Sequence, residues 1–159
     1  MSARVSAPDA TPEHLPAALA LTIFVLLLTH LAGDIIYGFE RGETIMALAT
    51  LVGGAWLPAV LTLGPRAGYA LVLLISCLAP IVPLIHMSGT GIGDDIEGSD
   101  FSLFLFVFSL LALGGPAPAS IALSIRGLWR LRRGMLSFLL QTVLPIALGA
   151  GLALYVLLT

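Results

Sequence analysis

The chain has 159 residues, 58% of them hydrophobic and 10% charged, with a mean hydropathy of +1.07 and a net charge of −2. A soluble domain carries about 45–50% apolar and about 25% charged residues, and one this small has too much surface for its volume to hide such an excess. Composition therefore excludes an ordinary soluble enzyme and leaves lipid as the solvent for most of the chain, in one compact domain.

All seven basic residues are arginine. With the abundance of Ala, Gly, Pro and Leu, this suggests a GC-rich, bacterial genome. Cys77 is the single cysteine and lies in an apolar run. That rules out an intramolecular disulfide or a cysteine zinc site and suits a small apolar packing role.

Residues 1–15 form a polar segment containing Arg4, Asp9 and Glu13, with no small-x-small site after the first apolar run. It reads as a cytoplasmic N-terminal segment rather than a cleaved signal, and residues 16–159 as one transmembrane helical domain. A spanning helix needs about 20 mostly apolar residues. The first candidate covers 16–37, opened by Pro16, a residue suited to a first helical turn. The second covers 44–63 and is ended by Gly64-Pro65, and the third covers 67–87. The fourth covers 100–125 with a kink expected at Gly114–Pro118, where proline removes a helix hydrogen bond. Its alternative is a short span ending near Gly115, followed by an interfacial segment through Ser120–Arg133 that sets Trp129 at the headgroups. The fifth covers 134–159. The expected fold is an all-α bundle of about five transmembrane helices.

Five spans put Arg4, Arg66, Arg126, Arg130, Arg132 and Arg133 on one side and only Arg41 on the other. The positive-inside rule then makes the N-terminus cytoplasmic and the C-terminus external in a bacterial inner membrane. Arg126, Arg130, Arg132 and Arg133 lie in the stretch RGLWRLRRG, which suits anionic headgroups and topology fixing. No nucleic-acid partner is expected. Ala49-x-x-x-Gly53 and Ala147-x-x-x-Gly151 are small-x-x-x-small patterns that permit close helix approach.

Ionisable groups inside a span are costly, so each is a functional hypothesis. His30 and Asp34 stand four residues apart on one face of the first helix. His86 ends the third, followed by a glycine-rich loop carrying Asp94, Asp95 and Glu97. Two histidines on separate helices suit haem or a chlorophyll-type pigment, with Asp34 fixing a tautomer or relaying protons. His30, His86, Asp94, Asp95 and Glu97 are equally a candidate metal set. The ordinary alternative is that His30 and Asp34 pair with each other, or with Thr29, Ser76 or backbone carbonyls, and hold the first helix against the third. Gln141, alone in the fifth span, suits an interhelical hydrogen bond.

No nucleophile elbow, zinc-protease helix, Walker loop or dinucleotide fingerprint is present. The expectation is a non-enzymatic accessory or interaction subunit, in contact with the bilayer and with other membrane-protein subunits or copies of itself. The alternatives are a haem- or pigment-binding redox protein and a small proton-coupled carrier.

Overall fold

A computed structural model describes residues 14–37, 42–81, 107–108 and 111–158. The described residues are α-helical with short turns and contain no strand. Helix α1 spans Leu15–Tyr37, α2 Gly42–Leu51 and α3 Leu57–Thr62, with a π-helical segment at Val52–Trp56 joining α2 to α3. Helix α4 spans Pro65–Leu78, α5 Pro116–Arg130 and α6 Met135–Leu158. Two helical stretches, Leu15–Ile36 and Met135–Leu152, are long and apolar enough to cross a membrane. Met46–Thr62 and Pro65–Leu78 are apolar but shorter.

The π-helical segment has a local cause. Pro58 has no N–H to give to the carbonyl four residues back, and its ring would clash there. Widening the preceding turn, so that Leu57 N–H reaches the Val52 carbonyl, relieves that clash. It also places Gly53 against the Phe24 ring and buries Trp56. The Trp56 indole N–H donates to the Leu71 carbonyl at 3.1 Å, tying this helix to α4. The turn into α4 requires glycine, since Gly64 has φ +85° and a side chain there would be strained. Pro65 then opens α4 with a φ already suited to a helix.

Helix α4 is the hub. It packs most extensively on α5 and α6 and also meets α1 and α3. Toward α1 and α3 the buried residues are Ala20, Ile23, Val52, Trp56, Val60 and Val72. Toward α5 and α6 they are Tyr69, Leu73 and Leu128, with Ile121, Ile125 and Phe138 partly buried around them. Helix α5 buries Ala117, Ser120, Ser124, Gly127 and Leu128 along one face, and meets α4 through Gly127 and Leu128. The Tyr69 ring lies on Gly127 so closely that a Cβ there would sit 2.5 Å from two ring carbons. A Cβ on Gly149 of α6 would fall 2.7 Å from the Cys77 Cβ.

Two sequence expectations change, the end of the fourth helix and the packing face of the fifth. The fourth helix does not end near 125 but continues to Arg130, taking Arg126 and Arg130 out of the loop and leaving a turn of 131–134. A cation in the last turn favours that extension, since the exposed carbonyls carry partial negative charge. Gly115 keeps helical torsions ahead of Pro116, so Pro116 opens the regular helix where its missing N–H costs nothing. Finally, the fifth helix approaches α4 through Gly149, whereas Ala147 and Gly151 are exposed. Two residues along a helix turn a side chain through about 200°, which carries that pair away from the contact. The first part of the expected fourth span and the loop before it lie outside the described residues.

Adding only a methyl group separates these positions. Gly127→Ala should lower the melting temperature in detergent, at a cost of about 1–3 kcal/mol for overpacking. Gly151→Ala, with nothing within 4 Å of its added carbon, should leave it unchanged or raise it. Equal melting temperatures would mean that α4 and α5 do not approach this closely.

Candidate functional site

The buried face of α1 runs through Pro16, Ala20, Ile23, His30, Leu31 and Asp34. The three- and four-residue spacing of that stripe turns two ionisable groups inward along with the apolar ones. His30 is 2% exposed and Asp34 4%. His30 Nε2 lies 3.3 Å from Asp34 Oδ2, an i,i+4 pair within one helix. Thr29 does not take part: it is exposed and its hydroxyl donates to the Val25 carbonyl at 2.8 Å. The Ser76 hydroxyl, buried on α4, has no hydrogen-bond partner among the described residues. His86, Asp94, Asp95 and Glu97 lie outside the described residues, so of the cofactor set and the metal set only His30 is described, with Asp34, the expected tautomer-fixing or proton-relay residue, beside it. Among the described residues, no three of His, Cys, Asp and Glu gather as a metal site.

The opposite end of α4 holds a second polar constellation. Arg66, in the first turn of α4, reaches across to α6. Its Nε donates to Gln141 Oε1 at 3.1 Å and its Nη2 to the Ser137 hydroxyl. Gln141 thus makes the interhelical bond its isolation in an apolar span suggests, with an arginine that sequence reasoning had counted only toward topology. The signal for the pair was one polar residue on each helix; their proximity depends on α4 and α6 running side by side.

Four further arginines lie on α5 and in the turn that follows it. Arg126 is exposed and Arg130 half-buried on α5, and Arg132 and Arg133 lie in the turn that follows. Arg132 is pinned: its guanidinium carbon sits 3.7 Å from the centre of the Trp129 ring, and its Nη1 donates to the Trp129 carbonyl at 3.0 Å. Trp129 in turn meets Phe138 edge to face, centroids 5.1 Å apart. Two open clefts flank the Gly64-Pro65 turn. One, of about 380 Å³, is lined by Leu63, Gly64, Pro65, Arg66, Leu131 and Arg133. The other, of about 220 Å³, includes His14, Pro16 and Val60. The structure therefore brings the Gly64–Arg66 turn and the Leu131–Arg133 turn together at one end.

Besides Ser76, which the sequence offered as a partner for the His30–Asp34 pair, three further buried hydroxyls were not singled out. Tyr69, Ser76, Ser124 and Thr142 each bury an oxygen with no hydrogen-bond partner among the described residues. They lie on α4, α5 and α6, where the helices meet. Serines on an apolar-rich helix are a weak sequence signal, and their burial depends on which face of each helix meets its neighbour.

A buried pair responds to single and double replacement differently. His30→Leu or Asp34→Leu alone should destabilise the protein by about 3–5 kcal/mol, because each leaves the other group buried without its mate. The double replacement should recover most of that loss, read as melting temperature in detergent. A double variant as unstable as the two losses added together would mean that the groups do not act as a pair.

No protein-family model, curated protein or solved structure matches the chain.

Proposed function

We propose that the chain is a polytopic membrane protein of about five spans, serving as a non-enzymatic accessory subunit that packs against another membrane protein through α6. The observation that carries this reading is the surface of α6. Among its described side chains only Thr142 and Gly149 are buried, while Leu136, Leu140, Val143, Leu144, Leu148, Leu152 and Leu154 are exposed. An apolar surface extending over most of a 24-residue helix exceeds what a soluble monomer leaves open to water. It suits lipid or a partner helix.

The exposed threonines support the same surroundings. Thr22, Thr29 and Thr62 each donate their hydroxyl to the carbonyl four residues back, at 2.9, 2.8 and 2.7 Å. Hydrocarbon offers no hydrogen bonds, so a hydroxyl facing it must bond within its own helix. The arginine end belongs on the cytoplasmic side by the positive-inside rule, which puts the C-terminus outside.

The buried His30–Asp34 pair favours a second reading, a haem or pigment site or a proton-coupled carrier built on those residues. An absorption spectrum separates the two: a Soret or long-wavelength band lost in His30→Ala would assign a cofactor to that face. A colourless protein whose Asp34→Asn variant abolishes proton-coupled flux would be a carrier.

Two measurements test the accessory reading. Alkaline phosphatase fused after Thr159 should be active, and an inactive fusion would contradict the odd number of spans. A photo-crosslinking residue at Leu144 or Leu148 should give one discrete heterologous adduct in native membranes, while one at Leu21 on α1 should not. Adducts only to lipid would remove the partner from the reading.

A further inference from the structure

The larger cleft at the arginine end combines charge and apolar surface in a way that specifies a ligand. Its lining has two guanidinium groups, from Arg66 and Arg133, two leucines, Leu63 and Leu131, and, among the described residues, no acidic side chain. Arg66 is held in place by Gln141 and Ser137. Those bonds use two of the five N–H donors of its guanidinium, leaving the others for an acceptor. Arg133 comes from the turn after α5 and is exposed. Its neighbour Arg132 is fixed on the Trp129 ring and backbone.

Arginine forks match the oxygens of a phosphate group, with charge-assisted bonds stronger than neutral ones. The cleft opens beside the end of α3 and the start of α4, where the chain turns between two apolar helices. A ligand here has its charged group at the arginines and its apolar part beside Leu63 and Leu131. The volume of about 380 Å³ falls in the range of small-ligand sites, about 300–1,000 Å³.

We infer that this cleft binds one anionic phospholipid by its phosphate, with Arg66 held ready by α6 and Arg133 closing on it from the α5–α6 turn. The inference rests on the membrane reading above and goes beyond diffuse attraction of the arginines to a charged leaflet. It distinguishes Arg133, which lines the cleft, from Arg126, which is exposed on α5 but does not.

Native mass spectrometry of the full chain in mild detergent tests it, with dioleoylphosphatidylglycerol, dioleoylphosphatidylcholine and inorganic phosphate as probes. One phosphatidylglycerol should be retained in preference to phosphatidylcholine. Arg133→Gln should weaken that retention about fivefold, the equivalent of about 1 kcal/mol per arginine, while Arg126→Gln leaves it unchanged. Melting temperatures without lipid confirm that both variants fold alike. Equal retention of the two lipids, or equal weakening by both variants, would overturn the site. Displacement by millimolar inorganic phosphate would make it a site for a soluble anion and overturn the lipid assignment. Membrane residence is read separately. A chain released from membranes by alkaline carbonate contradicts the membrane reading itself, whereas a retained chain with no lipid preference contradicts only this inference.

Discussion

A helix in apolar surroundings has to satisfy its polar side chains from within the chain, and most polar contacts described for this protein are of that kind. Three exposed threonines bond back onto their own helices. The Trp56 indole crosses to a carbonyl of α4. Arg66, at the edge of an apolar helix, is met by the two polar side chains that α6 offers at that level, Gln141 and Ser137. His30 and Asp34, turned inward by the phase of α1, lie within reach of each other. These contacts join α4 to the π-helical segment and to α6, so the polar requirement also helps set which helices are neighbours. The exceptions among the described residues are the hydroxyls of Tyr69, Ser76, Ser124 and Thr142, on helices in close contact. At Ser76 and Ser124, small size is the property that suits such a contact.

Close approach is the second organising element. On the proposed membrane reading, neighbouring helices gain little from excluding lipid, so attraction between them depends on packing and polar contacts. Gly127 leaves room for the ring of Tyr69, and Gly149 admits the backbone of α4 next to α6. With α1 and α3 on its other side, α4 is enclosed, while α6 contacts the rest of the molecule along one edge and leaves the remainder of its surface open. That asymmetry underlies the accessory reading. The same arrangement gathers the arginines of two turns around one cleft, distant in sequence but adjacent once α4 and α5 pack antiparallel.

Much of the helical framework was legible because its signals are local. Apolar runs bounded by Pro16 and by Gly64-Pro65 gave α1 and the α3–α4 turn within a residue or two, and Gly134 marked the start of α6. Where the sequence reading departed from the structure, the missing information was directional. An arginine-rich stretch reads as a loop by composition, yet its first residues continue α5, whose last carbonyls favour a cation. Ala147 and Gly151 have the spacing of a packing motif, but no sequence pattern says which face of α6 meets α4. Gln141 and Arg66 were each conspicuous alone, whereas their pairing is a property of the fold. The His30–Asp34 pair was legible from spacing; its burial required knowing the inward stripe of α1.

The central claim is that the exposed apolar side chains of α6 lie in hydrocarbon, and a spin label at Leu144 tests it most directly. With Cys77→Ser removing the native thiol and Leu144→Cys carrying the label, the protein is reconstituted in vesicles. Collision rates are then measured with oxygen, which concentrates in lipid, and with a water-soluble nickel complex. Frequent collision with oxygen and little with nickel is expected for a side chain in hydrocarbon. Ready collision with nickel would place α6 in water and contradict the account.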